Sequence, residues 1–479
     1  MHRINTKRKQ TILLRILAYT TIVVLSTLTT VVLLYVALGY RLDGSNGHLV
    51  RTGLLLVKNR PVAAEIYINN ELKDNAAPGR FTLSAGSYEL GLRQAGYREW
   101  KKTISVAASS VREVIYPLLI PTSLTTKEQI GIEAPSLVSQ SNDRKLLLTH
   151  VTNRPTFELF ELSGIESKRE SIPITGGIKR ENGQTGTFKV VEWALDNKHV
   201  LLEQTLPSGA LELVSIDVTK PSEARSVTAL YGGKPLANPH YAGENTNAVY
   251  GVRDGSLYLF NFEKTEETLV LEGVRSYAPY GNDTILYDRA VSDQAEAGIW
   301  KDGKLTKVHV AASQSASLLS YGKYNDYYYL AVAEPALNKV TIYRDPLKNP
   351  LPQKQSPFVS IAFENPERIS FGSSGQFLLV QSGRNLITYD YDEFKTYTTI
   401  LPFDLADGTH PIWLNATHLT VQGTDGANYL FEYDGQNMQA LLPSKAGTPL
   451  FFSSDLERLY RMVAHDLRVG LEAGSMLAE

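Results

Sequence analysis

The run from Ile16 to Leu38 contains no charged residue, and it constrains this chain more than any other feature. As an α-helix rising 1.5 Å per residue it reaches about 34 Å, enough to cross a hydrocarbon core of about 30 Å. Arg3, Lys7, Arg8, Lys9 and Arg15 precede it with no acid among them, and the nearly balanced Tyr40-Arg41-Leu42-Asp43 follows. Basic flanks stay in the cytoplasm. The expectation is a basic cytoplasmic tail at 1–15 and a transmembrane signal-anchor helix at 16–40 that contacts the lipid bilayer. The remaining domains then lie outside the cell membrane. A cleaved signal peptide competes, because Ala37-Leu38-Gly39 is a passable cleavage site, but its apolar region runs only about 7–15 residues. The absence of cysteine rules out a thiol-linked lipid anchor, a disulfide framework, thiol catalysis and cysteine-based metal sites. Taking the five N-terminal bases from the 48 leaves 43 against 50 acids, a net charge of −7 that argues against a nucleic-acid partner.

After a Gly/Ser/Asn linker at Asp43–His48, short strand patterns alternate with turn residues. Leu54-Leu55-Leu56-Val57 and Ala64-Glu65-Ile66-Tyr67-Ile68 read as strands, and Asn69-Asn70 as a turn. Phe81-Thr82-Leu83, Tyr88 to Arg93, Thr103 to Val106 and Val111 to Tyr116 complete a small sandwich. The spacing Pro61-Val62-Ala63-Ala64, then Ile66-Tyr67-Ile68-Asn69-Asn70, then Leu83, Gly86, Tyr88 and Gly96-Tyr97 resembles a PEGA domain over residues 52–120. Asn69-Asn70 replaces the family's Asp-Gly, and Pro78-Gly79 stands where Thr-Pro is usual. The resemblance implies an envelope or surface module with a spacer or binding role and no catalysis of its own.

Beyond the Pro-bracketed Tyr116-Pro117-Leu118-Leu119-Ile120-Pro121, one pattern recurs: an aromatic or apolar residue, a small polar turn, then a strand. Copies include Ser139–Leu148, Trp193–Leu202, Tyr280–Tyr287, Phe371–Val380, Trp413–Val421 and Phe452–Tyr460, with others at Tyr241–Tyr250 and Tyr321–Leu330. Eight copies in about 350 residues give roughly 43 per copy, the period of a four-stranded propeller blade. The fold class expected is mainly β: one N-terminal helix, a sandwich, and a β-propeller at 122–479. Eight blades are favoured, or seven if an end strand pair closes the ring. The repeats resemble those of TolB-like and WD-type propellers. Their Ser-Pro-Asp-Gly-Lys turn has lost its Pro here and keeps Gly only at Gly375, so no functional residue carries over.

The chain has no HExxH, GxxxxGK[ST] or GxSxG motif and no Cys/His zinc spacing. Gly372-Ser373-Ser374-Gly375 reads as a blade turn rather than a nucleophile elbow. Asp390-Tyr391-Asp392-Glu393 reads as a solvated turn without the calcium-loop pattern. His150 and His465 end the same strand of the first and last copies and become neighbours in a closed ring. They are the only metal candidates and lack a third ligand; the alternative is two surface histidines. Trp193, Tyr241, Tyr280, Tyr321, Phe371 and Trp413 read as blade core before any sugar-stacking platform, and Tyr327-Tyr328-Tyr329 must turn at least one ring outward.

No catalytic residue, cofactor or metal is expected. The function expected is non-enzymatic: a PEGA stalk that displays a propeller for recognising an envelope protein or a wall or surface glycan. The rivals are a propeller-borne extracytoplasmic hydrolase or lyase with scattered active-site residues, and an envelope assembly factor. The connections Ser163–Thr187 and Thr219–Pro239 are the expected ligand loops.

Overall fold

The computed structural model describes residues 4–37, 39–42, 49–162, 168–174, 177–292, 294–311, 315–348, 356–465 and 468–478. The linker expected at Asp43–His48 lies outside them.

One helix, Ile4–Ala37, opens the chain. Its stretch Leu13–Ala37 has a mean hydropathy of 2.1 and is long and apolar enough to cross a membrane. The hydroxyls of Thr20, Thr21, Thr27, Thr29 and Thr30 donate to carbonyls one turn back, at 2.8–2.9 Å. These threonine hydroxyls are therefore satisfied inside the helix itself. The helix stops at Ala37, short of the predicted Tyr40. Gly39 takes the left-handed φ of +79°, and Tyr40–Leu42 becomes a strand.

The chain divides into two compact units, residues 1–123 with 477–479, and residues 124–476. In the first, Leu49–Val57 lies at the centre of one sheet. It pairs antiparallel with Tyr40–Leu42 and Gly79–Ser84, and parallel with Val111–Val114. The second sheet runs in the order Glu71–Asp74, Glu65–Ile68, Gly86–Arg93, Trp100–Val106. Alternation in Trp100–Val106 sends Trp100, Ile104 and Val106 inward against Leu55, Ile66, Leu90 and Leu92. Lys102 lies on the same buried face, with its ammonium 5.2 Å from the centre of the Tyr116 ring.

Among the described residues the second unit holds eight four-stranded antiparallel sheets. In chain order, blades 1 to 7 span 137–173, 187–226, 237–271, 274–311, 318–362, 368–400 and 412–440. Blade 8 takes Phe451–Phe452, Arg458–His465 and Arg468–Ser475, and its outermost strand, Thr126–Ile132, comes from the start of the unit. Ile130 stands opposite Leu471, and the Thr126 hydroxyl donates to Glu472 at 2.5 Å. The favoured count of eight blades is the one observed.

A single antiparallel sheet cannot cover both of its faces, so each blade buries its faces on its neighbours. Blades 1 and 2 share Leu148, Phe157, Trp193 and Val200. Blades 4 and 5 share Leu286, Ile299, Tyr321 and Leu330. Across the closure, Leu147 and Phe160 of blade 1 meet Tyr460 and Met462 of blade 8, and the Tyr460 hydroxyl donates to the Leu162 carbonyl at 2.9 Å.

The recurring polar turn between first and second strands is held by its own side chains. Asp196 Oδ1 accepts from the Lys198 and His199 amides, Asn415 Oδ1 from Thr417 and His418, and Asp455 Oδ1 from Glu457, all at 2.8–3.0 Å. Gly375 needs to be glycine: its φ is +74°, and a Cβ there would lie 1.9 Å from the Lys323 carbonyl oxygen. Arg144 and Leu456 occupy the corresponding left-handed position with φ of 62°, so the lost glycines were replaced without losing the turn.

Three expectations are corrected. Asp390 is not a solvated turn residue. It is buried and accepts from Gln376 Nε2 and from the Asp392 and Glu393 amides, which tie the turn together. Burial pushes its carboxyl above the usual range despite those bonds. Neither expected ligand loop is a free loop: Lys168–Pro173 and Arg225–Ser226 are the fourth strands of blades 1 and 2. Thr219–Pro239 also contains a short helix, Val227–Leu230, capped where the Ser226 hydroxyl accepts from the Ala229 amide. The third correction, at His150, is described next.

Candidate functional site

The inner strands of the blades carry the polar side chains that face the centre of the ring. A cavity of about 1010 Å³ opens there. The first strands of blades 1 and 2 (Leu137–Gln140 and Thr187–Trp193) and the connection 445–449 that enters blade 8 form its wall. These walls are fixed by bonds between blades. Gln140 Nε2 donates to the Phe452 carbonyl at 2.8 Å, Trp193 Nε1 to Ser139 Oγ at 3.0 Å, and Lys445 Nζ to the Pro135 carbonyl at 3.2 Å.

Around the same inner edge the polar chain continues. Glu192 of blade 2 pairs with His240 of blade 3 at 2.7 Å, and His240 stands edge-on to Tyr277 of blade 4. Arg275 meets the fully buried Asp288 at 2.5 Å, and the other Asp288 oxygen accepts from the Ser317 amide at 2.8 Å. Arg144, left-handed in the first turn of blade 1, reaches past blade 8 to donate to the Leu414 carbonyl of blade 7.

A second cavity, about 270 Å³, lies between the inner strands of blades 6 and 7, walled by Arg368, Ser370, Gln381, His410 and Trp413. Burial, with the Arg368 charge adding to it, holds His410 below the usual imidazole range and keeps it neutral. His410 Nδ1 and Trp413 Nε1 are withdrawn from solvent without a hydrogen-bond partner in the protein. The larger cavity is lined by Lys189, Lys445 and the Glu192 carboxylate, and the smaller one by the Arg368 guanidinium and the Trp413 indole. That chemistry suits a polar ligand.

The histidine candidates are placed as follows. His150 is not a surface residue: it is buried between Phe157 and Phe188, with ring centroids 4.9 and 4.7 Å away, and Nε2 lies 3.1 Å from the Arg154 carbonyl. Strand alternation turns it into the interface of blades 1 and 2, away from blade 8. The His465 side chain lies outside the described residues. Among the described residues no three His, Cys, Asp or Glu side chains cluster as metal ligands.

Trp193, Tyr241 and Tyr321 are buried in blade interfaces, and Tyr280, Phe371 and Trp413 pack against such cores. Gly372–Gly375 is a turn, with the Gly375 amide donating to the Gly372 carbonyl at 2.9 Å. Tyr327 and Tyr328, at the start of their strand, are exposed, and Tyr329 is buried. Sequence reasoning missed Arg144, Lys445 and Arg368. Arg144 belongs to a recurring turn whose sequence says nothing of what its side chain reaches, and the places of Lys445 and Arg368 depend on how neighbouring blades pack.

The architecture defines a class: an N-terminal apolar helix, a small β-sandwich and an eight-bladed β-propeller. Residues 52–119, which hold most of the sandwich, match the PEGA domain family. No curated protein matches the sequence. Among solved structures the chain is similar to the Dos1 propeller (10% identity, TM-score 0.48, covering 74% of this chain and 96% of that one). It is similar to the C-terminal WD40 domain of Sif2 as well (10%, 0.47, 73% and 98%). A third is dipeptidyl peptidase 4 of Porphyromonas gingivalis (11%, 0.47, 71% and 59%). At these TM-scores the blade assignment stands on the strand pairing of this chain, not on the likeness.

Proposed function

We propose that this protein is a membrane-tethered recognition protein of the cell envelope. The helix is its anchor, with the basic segment Arg3–Arg15 on the cytoplasmic side. The PEGA domain is a stalk, and the propeller binds an envelope protein or glycan without catalysing a reaction. The observation that carries this reading is the cavity at the centre of the ring, about 1010 Å³, with polar walls fixed by bonds between blades. A rigid, polar concavity on a ring closed by its own first strand suits binding with little reorganisation on capture.

The test uses the full chain in phospholipid nanodiscs, added to isolated envelopes of its own organism. The envelopes are treated beforehand with protease, with glycan hydrolases, or with neither. Saturable binding to untreated envelopes is expected. Loss after protease assigns a protein partner, and loss after glycan digestion assigns a polysaccharide. Absence of binding to untreated envelopes overturns the reading.

A further inference from the structure

Between blades 4 and 5 the ring holds a separate cavity of about 300 Å³, at the end where the first-to-second and third-to-fourth strand turns lie. Three tyrosines form its apolar part. Tyr280 and Tyr321 meet edge to face, with centroids 4.9 Å and planes 89° apart. Tyr321 and Tyr328 lie nearly parallel, with centroids 5.5 Å and planes 15° apart. The rings thus make a right-angled corner. Tyr321 belongs to the core between the blades, whereas Tyr328 is 38% exposed and extends the corner into solvent. Lys323 lies 5.6 Å from the centre of the Tyr328 ring and helps to hold it.

The polar part is charge-matched. Asp283 pairs with Lys301 at 3.0 Å and Asp345 with Lys348 at 2.9 Å, one pair from each blade. The Lys301 hydrogen bond holds Asp283 below the usual carboxylate range, and it also raises Lys301. At Asp345, burial alone would raise the carboxyl, but Lys348 and the Tyr328 amide outweigh it. Both acids are therefore ionised and compensated at neutral pH. Each still has carboxylate lone pairs for a hydroxyl donor, and each ammonium has protons for a hydroxyl acceptor.

The pairing excludes ligand classes one by one. A cationic ligand needs surplus carboxylate and an anionic one a surplus cation, but the two acids and two lysines that line the cavity are paired one to one. An alkyl chain would leave the paired charges desolvated without new partners. What fits is a neutral ring with one apolar C–H face for the aromatic corner and an edge of hydroxyls for the charged rim. We propose that this corner binds a pyranose residue of a neutral glycan. This names a ligand class for the recognition function above and rests on that reading.

The experiment uses the full chain in phospholipid nanodiscs, which avoids sugar-headed detergents. The probes are methyl β-D-glucopyranoside and N-acetylglucosamine, and the readout is magnetisation transfer from protein to sugar ring protons. Transfer to the ring C–H protons of at least one probe is expected. Tyr328→Ala should weaken that binding about tenfold, the worth of one aromatic contact. Tyr327→Ala, which removes the neighbouring exposed ring outside the cavity, should leave it unchanged. Raising salt from about 50 to 500 mM should also leave it unchanged, because no net charge is being matched. No transfer to either sugar, equal binding by Tyr328→Ala, or loss in high salt overturns the proposal. Envelope binding measured on the same sample separates the two readings. If it persists without sugar binding, only the pyranose site falls; if both are absent, the recognition function falls with it.

Discussion

The sandwich and the propeller bury their strands in opposite ways. The sandwich has two sheets and one shared core, in which Trp100, Ile66, Leu90 and Leu55 meet. The propeller has no common core. Its apolar residues are divided among the interfaces between successive blades, such as Tyr460, Met462, Leu147 and Phe160 between blades 8 and 1. A single core makes every large side chain a part of the whole. A divided core confines damage to one interface and leaves the inner edges polar, which is where both channel cavities lie.

The sharpest way to break this comparison is to hollow one core of each kind. Trp100→Ala should cost about 3–5 kcal/mol and remove the sandwich's unfolding transition from a calorimetric scan while the propeller's stays in place. Met462→Ala should cost about 2–5 kcal/mol, with hydrogen exchange quickening first in blades 8 and 1. If either substitution shifts every transition together, the two units are not energetically separate.

A smaller effect tests the turns that join the strands. Gly375→Ala places a Cβ against the Lys323 carbonyl at a left-handed φ, and should cost about 1–3 kcal/mol by denaturant titration. A cost near zero would mean that blades 5 and 6 yield at their turns, and that the divided core is softer than its packing implies.

The smallest effect is a pH dependence at one interface. Burial depresses His150, so the imidazole is neutral in the fold, whereas the unfolded chain binds a proton below about pH 6.5. The unfolded state then holds more protons, and stability falls as pH drops below that value. In His150→Gln this contribution is absent. The acid-side slope of the unfolding free energy should become shallower by at most about 1.4 kcal/mol per pH unit between pH 7.5 and 5. An unchanged slope would mean that the interface between blades 1 and 2 admits the proton, and that it is less dry than its neighbours.

The ring was legible because a blade is a local object. Its turn residues sit two to four positions apart, as in Asp196 with Lys198 and His199, so each copy announces itself within ten residues. The small sandwich was legible for the same reason, through Gly86, Tyr88 and Gly96-Tyr97. What was not legible depends on distance along the chain. Arg144 finds its acceptor at Leu414, and the tyrosine corner joins turns from two blades. The burial of Asp390 was missed because an acidic run looks solvated until the strand before it is known to be central to its sheet.

Closure by Thr126–Ile132 also sets a timetable for biosynthesis. That strand is made first, but its partner Arg468–Ser475 is made last, some 340 residues later. At about 5–20 residues per second the early strand waits roughly 20–70 s for its place in blade 8. Throughout that interval the growing sheet stack exposes an unpaired edge at its newest blade. Until then the nascent propeller is a spiral rather than a ring, and the arrival of Arg468–Ser475 closes it.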